Sequence, residues 1–567
     1  MTSPIEPAAW PAPHRAGTLI HGQLLHRYGV PLAVAGAVTG ALVLRTVYVP
    51  TYLTNWDAVQ FALGVERFNV VEHRPHPPGY VLYIGAAVAL HRLLALAGLH
   101  LDAAQVLVLL SLIAGAVAVP LVFLVARAFA GSRAAVLTAL LFTFSPLSWY
   151  YSVTALTYAV ECTLALMVVW LCRHGAHRAG LKPVVASAVV LGLAGGVRQS
   201  TLILLLPLWL YATWAGGRRR LFAGLLTLGV VCLAWFIPLV VLSGGLQEYL
   251  AASRRLSSII MQLTSIFGHG LPAAAANLQY IAMALLSAHG IGLACFVPLL
   301  LRQVSWSWEL STLERRLLAL WIVPPLLFFV LVHVGQAGYL LLILPATLLL
   351  QAVAILATGA SLEPVVRRFL QGLHRQLSGL TGRLNPLPQL HASMPEFLAA
   401  VVALTGAAVF LWSDSDLSLG ALAENDRFWK QVQALRERYP PETTVIFTGM
   451  LSSESYRHAF YYLPDYQVYG VGFDSDGELG VLFEARHGWG DYTAFLSGRP
   501  ARRTLLLPQP TYAVVYLDEP LTRLMEPERH LTRLALTPRR SVYVYEAERS
   551  INALRFRRPA EPLLAGG

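Results

Sequence analysis

The stretch YVPTYLTNWDAVQFALGVERFNVVEHRPHPPGYVLYIG, residues 48–85, decides the fold because it is a short polar segment between two apolar runs. The first run covers 31–49, and the second begins at Pro77. Asp57 lies between them, and the first 412 residues contain only one other aspartate, Asp102. A carboxylate beside two membrane spans is costly, so Asp57 is a candidate site residue.

The composition predicts a polytopic α-helical membrane protein. Of the 567 residues, 56% are hydrophobic and only 13% are charged, which is too apolar for a soluble globular protein. Apolar runs long enough to cross a bilayer recur along the chain, and we expect about 11 to 13 spans. The candidate spans are 31–49, 77–97, 104–128, 134–148, 150–172, 183–197, 199–215, 220–243, 272–301, 317–332, 338–358 and 396–412.

The chain divides into three parts by composition. Residues 1–30 are rich in proline and then basic, which predicts a cytoplasmic tail, and residues 31–412 form a transmembrane domain whose first outer loop is 50–76. Residues 413–567 have the composition of a soluble domain in which helix-like and strand-like segments alternate. This alternation predicts an extracytoplasmic α/β domain. Its expected helices are 422–439 and 452–463, and its expected strands are 443–449, 466–471, 512–517 and 542–545.

The arginine-rich loops predict which ends of the spans face the cytoplasm. The loops 173–182, 216–220 and 359–395 are rich in arginine and mark the inside, which places the first loop and the C-terminal domain outside. The cluster Arg127–Arg133 also looks cytoplasmic, yet two apolar runs separate it from Asp57. Either one of the runs 77–97 and 104–128 does not cross fully, or this cluster is not a cytoplasmic marker.

Charge and cysteine content exclude some classes of function. The net charge of +11 falls mainly in the membrane part, where it fits cytoplasmic loops. No surface that combines basic and aromatic residues is evident, so a nucleic-acid partner is not expected. The cysteines lie in apolar runs without metal-ligand or disulfide spacing, and we expect them to be buried small hydrophobes: Cys162, Cys172, Cys232 and Cys295.

The residues from Asp57 to Val70 have helical spacing. The apolar stripe consists of Ala58, Phe61, Val65 and Phe68, and the polar stripe of Asp57, Gln60, Gly64 and Arg67. Such a helix is expected to lie flat in the membrane interface and to place Asp57 at the level of lipid headgroups. The alternative is that Asp57 only caps the helix or complements its dipole.

The motif HRPHPPGY, residues 73–80, leads into the second apolar run. Paired prolines suit the first turn of a helix, so Pro77 and Pro78 are expected to begin the span. His73, Arg74 and His76 then face the interface, where imidazoles and a guanidinium bind phosphate. The alternative is a rigid helix entry flanked by snorkelling basic side chains.

Glu161 is the second candidate carboxylate. In SPLSWYYSVTALTYAVECTLAL, residues 145–166, Tyr158 and Glu161 share one helical face. No other carboxylate occurs between Asp102 and Glu248. An unpaired charge is not tolerated in hydrocarbon, so Glu161 faces either a polar cavity, which we favour, or a basic partner in a structural ion pair.

Further polar residues are expected on the outer side. Arg198 lies in the turn GGVRQS, residues 195–200, and Arg254 lies in an amphipathic outer loop. The segment HVGQAGY, residues 333–339, offers His333, Gln336 and Tyr339. Each alone is explained as an interfacial anchor, but together with the carboxylates they place convergent polar groups on one side of the membrane.

The order of these motifs resembles the GT-C glycosyltransferase superfamily. The resemblance covers residues 30–350 and rests on the outer-loop aspartate, HPPGY, SPL…Y…TYA.E, GVRQS and H.GQ.GYLL.ILP. It is nearest to bacterial relatives of the protein O-mannosyltransferases and of the lipid A aminoarabinose transferases. It implies an enzyme of the bacterial plasma membrane that moves a sugar from a polyprenyl-phosphate carrier, at the outer face, to a hydroxyl of a protein, glycolipid or polysaccharide.

The resemblance also implies roles for residues. Asp57 is the match for the catalytic base and Glu161 for a second acidic residue of the same cavity. A sugar phosphate needs no general acid, because phosphate leaves as a stable anion, so one base opposite the leaving group predicts inversion. The donor requires no metal, although Asp57 and Glu161 remain candidate ligands for a divalent ion. The expected substrate- and phosphate-binding residues are His73, His76, Tyr158, Arg198, Arg254, His333, Gln336 and Tyr339.

Two other classes of protein remain open. A lipid or glycan transporter or flippase also has many spans, but it is expected to show paired repeats or broken helices in matching halves, which are not evident. A non-catalytic receptor or assembly factor is expected to tolerate loss of Asp57. The C-terminal domain either recognises the acceptor or covers the outer cavity.

Overall fold

The computed structural model describes most of the chain between residues 43 and 556. The described ranges are 43–176, 180–304, 308–381, 393–449, 456–473, 479–486, 489–490, 501–517, 525–526 and 531–556, together with residues 36, 39 and 40. The predicted tail 1–30 and much of the first predicted span lie outside the described residues.

Helices make up the membrane part, and its fold class is confirmed. Their bounds are Trp56–Glu66, Val81–Leu96, Ala103–Phe144, Pro146–Ser152, Tyr158–Ala176, Lys182–Val197, Gln199–Trp214, Arg218–Leu242, Leu246–Thr264, Ile266–His269, Leu271–His289, Val297–Leu300, Thr312–Leu331, Leu344–Thr381 and Met394–Trp412. Among the described residues, six helices are long and apolar enough to cross a membrane. The protein is therefore an integral membrane protein.

Capping residues explain where two helices begin, and a glycine explains a kink inside one of them. Asp102 and Gln105 form a capping box at the start of Ala103–Phe144, and Ser311 and Glu314 form another at the start of Thr312–Leu331. Helix Ala103–Phe144 merges two predicted spans, 104–128 and 134–148, across a non-helical kink at Gly131 (φ 78°). A positive φ is open to glycine without steric cost, so the helix can kink at this position.

The structure resolves the conflict at Arg127–Arg133 in favour of a run that does not cross. The residues after helix Val81–Leu96 return to the end of the bundle that carries Asp57, because Asp102 lies near Glu66. Burial raises the pKa of Glu66, the charge of Arg74 opposes this rise, and the charge of Asp102 adds to it. From Ala103 to the kink at Gly131 the helix is about 40 Å long, at 1.5 Å per residue. The arginine cluster therefore lies at the opposite end.

Two ion pairs at that opposite end each join helices that are distant in sequence. Arg133 contacts Glu396 at 2.7 Å, at the start of the last helix, and Arg173 pairs with Glu314. Because the last helix then runs to Trp412, the chain returns to the end that carries Asp57 before the C-terminal part begins. Which of these two ends faces the cytoplasm stays a prediction of the arginine-rich loops.

The C-terminal part is built around a mixed seven-stranded sheet. The strands are β1 Thr444–Gly449, β2 Gln467–Phe473, β3 Leu479–Arg486, β4 Trp489–Gly490, β5 Thr504–Leu506, β6 Ala513–Tyr516, β7 Met525–Glu526, β8 Thr532–Ala535, β9 Ser541–Glu546 and β10 Ala553–Phe556. The order in the large sheet is β4-β3-β2-β1-β6-β9-β8, and β5-β10-β7 form a smaller one. Strand β1 is parallel to β2 and β6.

Two helices of the C-terminal part pack near the large sheet. Helices Leu419–Ala434 and Tyr456–Tyr462 occupy positions predicted as helical. The predicted strands correspond to β1, β2, β6 and β9, whereas the other strands were not predicted. Phe428 and Trp429 pack with Ile446 in one apolar core, so helix Leu419–Ala434 is fixed on one face of the sheet.

The C-terminal part is docked on the segment that enters the first loop. Asp426 accepts hydrogen bonds from the backbone N–H groups of Thr51 and Tyr52, each at 2.9 Å. The Nε2 atom of His458 lies 3.0 Å from the carbonyl oxygen of Leu53, and His458 is fully buried. These bonds satisfy backbone groups that the extended segment leaves unpaired. The two parts therefore share one buried contact beside the candidate site.

Candidate active site

Asp57 lies in the first turn of helix Trp56–Glu66, which we call the loop helix. The helix cap is Asn55, whose side chain accepts from the backbone N–H of Asp57 at 2.9 Å, so the capping alternative for Asp57 is wrong. The helix ends at Glu66 rather than Val70, and all seven residues from Ala58 to Gly64 are buried. Protein covers this central part of the helix, whereas Trp56 and Glu66 at its ends are exposed. That the helix lies flat in the membrane interface stays a prediction.

The carboxylate of Asp57 is the partly open centre of a polar cluster. Its side chain is 24% exposed. Gln336 donates to Oδ2 at 3.1 Å, and Nδ1 of His76 lies 3.6 Å from Oδ1. A guanidinium nitrogen of Arg457 lies 3.9 Å from the same oxygen. Three side chains thus surround the carboxylate of Asp57, and the part that they leave exposed is accessible to a substrate.

The proline motif shapes a loop before the helix rather than its first turn. Helix Val81–Leu96 begins three residues after Pro78, and Tyr80 precedes it with a left-handed backbone (φ 47°), so the expected role of the paired prolines is wrong. Gly79 has φ 104°, and a Cβ there would lie 2.6 Å from Leu239. Because only glycine fits this position, the chain turns sharply and carries His76 back to the loop helix.

The two histidines of the motif have different surroundings. His76 contacts the side chain of Gln60 through Nδ1 and Tyr80 through Nε2, the latter at 2.9 Å. Burial lowers the pKa of His76 to about 4, against the opposing effect of Asp57. His73 is buried, and burial with the charge of Arg457 lowers its pKa to about 2. Both imidazoles are therefore neutral at pH 7.

Arg198 provides a permanent positive charge on the Glu161 side of the site. It is an extended residue (φ −153°) between helices Lys182–Val197 and Gln199–Trp214. Its guanidinium carbon lies 4.1 Å from the ring centroid of Tyr339 and 4.8 Å from that of Tyr158. Two aromatic faces hold the cation in place, and the side chain is only 8% exposed.

Glu161 has the basic partner that the sequence left open. Its Oε2 lies 3.6 Å from Nε of Arg198, and its Oε1 accepts a hydrogen bond from Thr201. The arginine also donates to Thr157 at 3.2 Å. Glu161 is 4% exposed and therefore lies behind Arg198. The structure thus supports the ion pair for Glu161 over the open cavity that we favoured.

The segment 333–339 closes the cluster from the other side. His333 pairs with Thr264 at 3.0 Å, and its ring centroid lies 5.6 Å from that of Tyr339. Burial and the charge of Arg198 lower the pKa of His333 to about 4. Gly338 packs directly on the ring of Tyr158, where a Cβ would approach to 2.3 Å.

One expected residue stays apart, and three others were missed. Arg254 is exposed on helix Leu246–Thr264 and forms no hydrogen bond or ion pair with the described residues. The missed residues are Asn55, Gln60 and Arg457. Gln60 belongs to the polar stripe, but only the fold brings Arg457 from the C-terminal part to Asp57. No local signal marks that arginine, because its partners are about 400 positions away.

The carboxylates do not fit a shared metal site. Glu161 already lies beside the guanidinium of Arg198, and a second cation there would be repelled. Among the described residues, no group of three or more histidine, cysteine, aspartate or glutamate side chains has a metal-binding arrangement. We therefore derive no step through a metal.

Comparisons with known proteins agree with this architecture. Residues 71–219 match the model of the protein O-mannosyl-transferase TMEM260 N-terminal domain. The fold is similar to the crystal structure of ArnT from Cupriavidus metallidurans bound to undecaprenyl phosphate, with a TM-score of 0.54 and 16% identity over 91% of this chain and 98% of that one. The resemblance to the GT-C glycosyltransferases is confirmed.

A second structure gives the same fold. ArnT from the same organism in the apo state matches with a TM-score of 0.53 and 16% identity, over 90% of this chain and 97% of that one. No curated protein matches in sequence. The segment matched by the family model contains His76, Glu161 and Arg198 but begins after Asp57. The family match and the GT-C fold together support a membrane glycosyltransferase.

Proposed function

We propose that this protein transfers a sugar from a polyprenyl-phosphate carrier to an acceptor hydroxyl, with inversion and with Asp57 as the general base. The observation that carries the proposal is that a carboxylate and a permanent cation lie at the same end of the helix bundle. A partly open carboxylate, Asp57, and a buried permanent cation, Arg198, both lie close enough to His76 for their charges to act on it. The ArnT structure that this fold resembles holds undecaprenyl phosphate, which supports a carrier of this class.

Asp57 is suited to accept the proton of the acceptor. As the hydroxyl oxygen attacks the anomeric carbon, its proton passes to Asp57 and the bond from that carbon to the phosphate oxygen breaks. Gln336 fixes one carboxylate oxygen, so the other is aimed by the fold rather than by substrate. His76 is neutral at pH 7 and therefore does not cancel the negative charge of Asp57.

Arg198 is suited to stabilise the departing phosphate. The electron pair of the broken bond leaves with the polyprenyl phosphate, so negative charge increases on that oxygen in the transition state. A cation already fixed between Tyr158 and Tyr339 needs no reorganisation to meet this charge. Glu161 orients the guanidinium from behind. Attack by the acceptor hydroxyl on the face opposite the departing phosphate gives a product with inverted configuration.

The same reasoning extends to location and to the other binding residues. We place the active site and the C-terminal domain, residues 413–567, on the outer face of a bacterial inner membrane, because the arginine-rich loops lie at the other end. His333 and Tyr339 then line the sugar pocket together with Tyr158. Arg254 is exposed and forms no hydrogen bond or ion pair with the described residues, so we give it no direct part in the reaction. His73 is buried close enough to His76 and Arg457 for their charges to act on it.

The proposal is tested with purified full-length protein and a panel of synthetic polyprenyl-phosphate sugars. Transfer to an acceptor, or slow transfer to water, is followed by release of polyprenyl phosphate. The anomeric configuration of the product is determined by NMR, and we expect inversion. Retention would exclude a single-base mechanism, and no release from any donor would exclude the carrier class.

A further inference from the structure

The helix Tyr456–Tyr462 of the C-terminal part points two consecutive side chains at the first loop. His458 is anchored on the carbonyl oxygen of Leu53 at 3.0 Å and stacks on Trp429, with ring centroids 5.4 Å apart. The adjacent residue, Arg457, is thereby directed toward the loop helix. Its side chain is only 12% exposed. An arginine that is this well covered, at a contact between two parts of the chain, has specific partners.

Those partners are residues of the candidate active site. In the amide orientation that satisfies both of its neighbours, Gln60 presents its oxygen to three nitrogens of Arg457 at 2.7, 2.8 and 2.9 Å. Gln60 itself is 1% exposed. Arg457 also lies 3.9 Å from Oδ1 of Asp57 and 5.4 Å from the ring centroid of Trp56. The guanidinium thus contacts three residues of one helix turn, including the proposed base.

The contact with Gln60 sets the state of His76. When the amide oxygen of Gln60 faces Arg457, its NH₂ group faces Nδ1 of His76 and donates to it. Nδ1 is then an acceptor, so the proton of the neutral imidazole resides on Nε2 and points to Tyr80. Without Arg457 the amide is free to turn over and accept from Nδ1–H instead. A protonated Nδ1 would compete for Asp57.

We propose that Arg457, supplied by the C-terminal domain, is a positioning residue of the active site, so that the site is complete only with that domain docked. The proposal rests on the transferase function proposed above and extends it, since it gives the domain a part in the chemistry. Arg457 acts through Gln60 on His76 and by its own charge on Asp57. It is not required to touch the sugar or the phosphate.

The test compares full-length variants in the polyprenyl-phosphate transfer assay. Arg457→Met is expected to lower kcat at least about tenfold while the KM for the donor changes less than about threefold, because geometry at the base is lost rather than donor binding. Arg457→Lys keeps the charge but not the three-nitrogen contact, and it is expected to restore kcat in part. Gln60→Met is expected to lose about as much, and the double variant no more than the larger single loss.

The matched control is Arg438→Met, which breaks the exposed pair between Arg438 and Glu546 (3.1 Å) on the same domain. It is expected to leave kcat unchanged. If Arg457→Met does not fold, Arg457→Lys and Gln60→Met decide the matter. Wild-type kcat in Arg457→Lys, additive losses in the double variant, or an equal loss in Arg438→Met would each overturn the proposal. An inactive wild-type protein would instead contradict the proposed function itself.

Discussion

The side-chain amide of Gln336 donates to Oδ2 of Asp57 at 3.1 Å, across 279 positions of the chain. The same nitrogen lies 3.2 Å from Oδ1 of Asn55, the cap of the loop helix. One amide therefore fixes both the base and the start of the helix that carries it. This bond joins the segment after helix Thr312–Leu331 to the first loop and aligns the two halves of the candidate site.

Loss of this bond is expected to impair catalysis. In Gln336→Leu, kcat/KM is expected to fall about 10- to 100-fold, because a hydrogen bond to a charged group contributes about 1.5–3 kcal/mol. Steady-state transfer kinetics provide the measurement. Gln247→Leu, at an exposed position of helix Leu246–Thr264, serves as control and is expected to retain wild-type kinetics. Equal kinetics in the two variants would show that Gln336 does not orient Asp57.

Arg198 is expected to be needed for both activity and stability. Arg198→Met leaves Glu161 buried without its charge partner, and breaking such a pair is expected to cost about 3–5 kcal/mol. The loss of the cation is expected to lower kcat at least about 100-fold at matched folded concentration. Thermal unfolding and transfer kinetics are measured on the same preparations.

The control for Arg198 is a second ion pair, partly buried, at the far end of the bundle. Arg173 pairs with Glu314, and their side chains are 17% and 13% exposed. Arg173→Met is expected to lower thermal stability while folded protein keeps its kcat. If both arginine variants lose stability and neither loses kcat, Arg198 does not stabilise the leaving phosphate.

Gly338 is expected to be indispensable because Tyr158 packs against it. A Cβ at this position would lie 2.3 Å from the tyrosine ring, so Gly338→Ala displaces the ring that holds Arg198. Overpacking of this kind costs about 1–3 kcal/mol, and kcat is expected to fall at least about tenfold. Gly85→Ala, where a Cβ meets nothing within 4 Å, is expected to be neutral. Normal kinetics in Gly338→Ala would show that the position of the Tyr158 ring over Arg198 does not matter for catalysis.

The buried histidines predict a loss of stability in acid. The folded pKa of His76 is about 4 and its ordinary value is 6.5, so between these values the unfolded chain binds a proton that the folded chain does not. Stability therefore falls as pH drops from 6.5 to 4, by about 3 kcal/mol for this residue. The charged groups that face His76 are Asp57, which opposes the shift, and Arg457 and Arg198, which support it.

The variant His76→Gln isolates this contribution. Unfolding midpoints at pH 7.5 and pH 5 are compared, and the acid-induced drop is expected to be smaller in His76→Gln than in the wild type. His333 and His73 still contribute in both proteins. The exposed His100 provides the control, and His100→Gln is expected to keep the full drop. An identical drop in all three proteins would mean that His76 is protonated in the folded state.

The sequence predicted those features that depend on local pattern. Apolar runs gave the helices of the membrane part, and alternation of segments gave β1, β2, β6 and β9, because hydrophobic periodicity is a local property. Asp57 and Glu161 were found because isolated carboxylates are costly in apolar surroundings. The sequence could not show that the apolar run at Val81–Leu96 does not cross the bundle. A short apolar helix that stays near one end of the bundle has the same composition as one that spans it.

Features that depend on distant contacts were missed. The arginine that meets Gln60 and Asp57 comes from a separate part of the chain, and its neighbours in sequence resemble any amphipathic helix. The partner of Glu161 was left open for the same reason, because Arg198 reaches it only after helices Tyr158–Ala176 and Gln199–Trp214 pack together. Local patterns indicate which residues are costly to bury, whereas the fold determines what stabilises them.

The most direct test of the central claim is transfer by Asp57→Asn. Asparagine has the same shape and still meets Gln336, but it cannot accept the proton of the acceptor. With a polyprenyl-phosphate sugar that the wild-type protein uses, kcat is expected to fall at least about 1,000-fold while the KM for the donor stays within about threefold. Transfer at the wild-type rate by folded Asp57→Asn would contradict the assignment of Asp57 as the base.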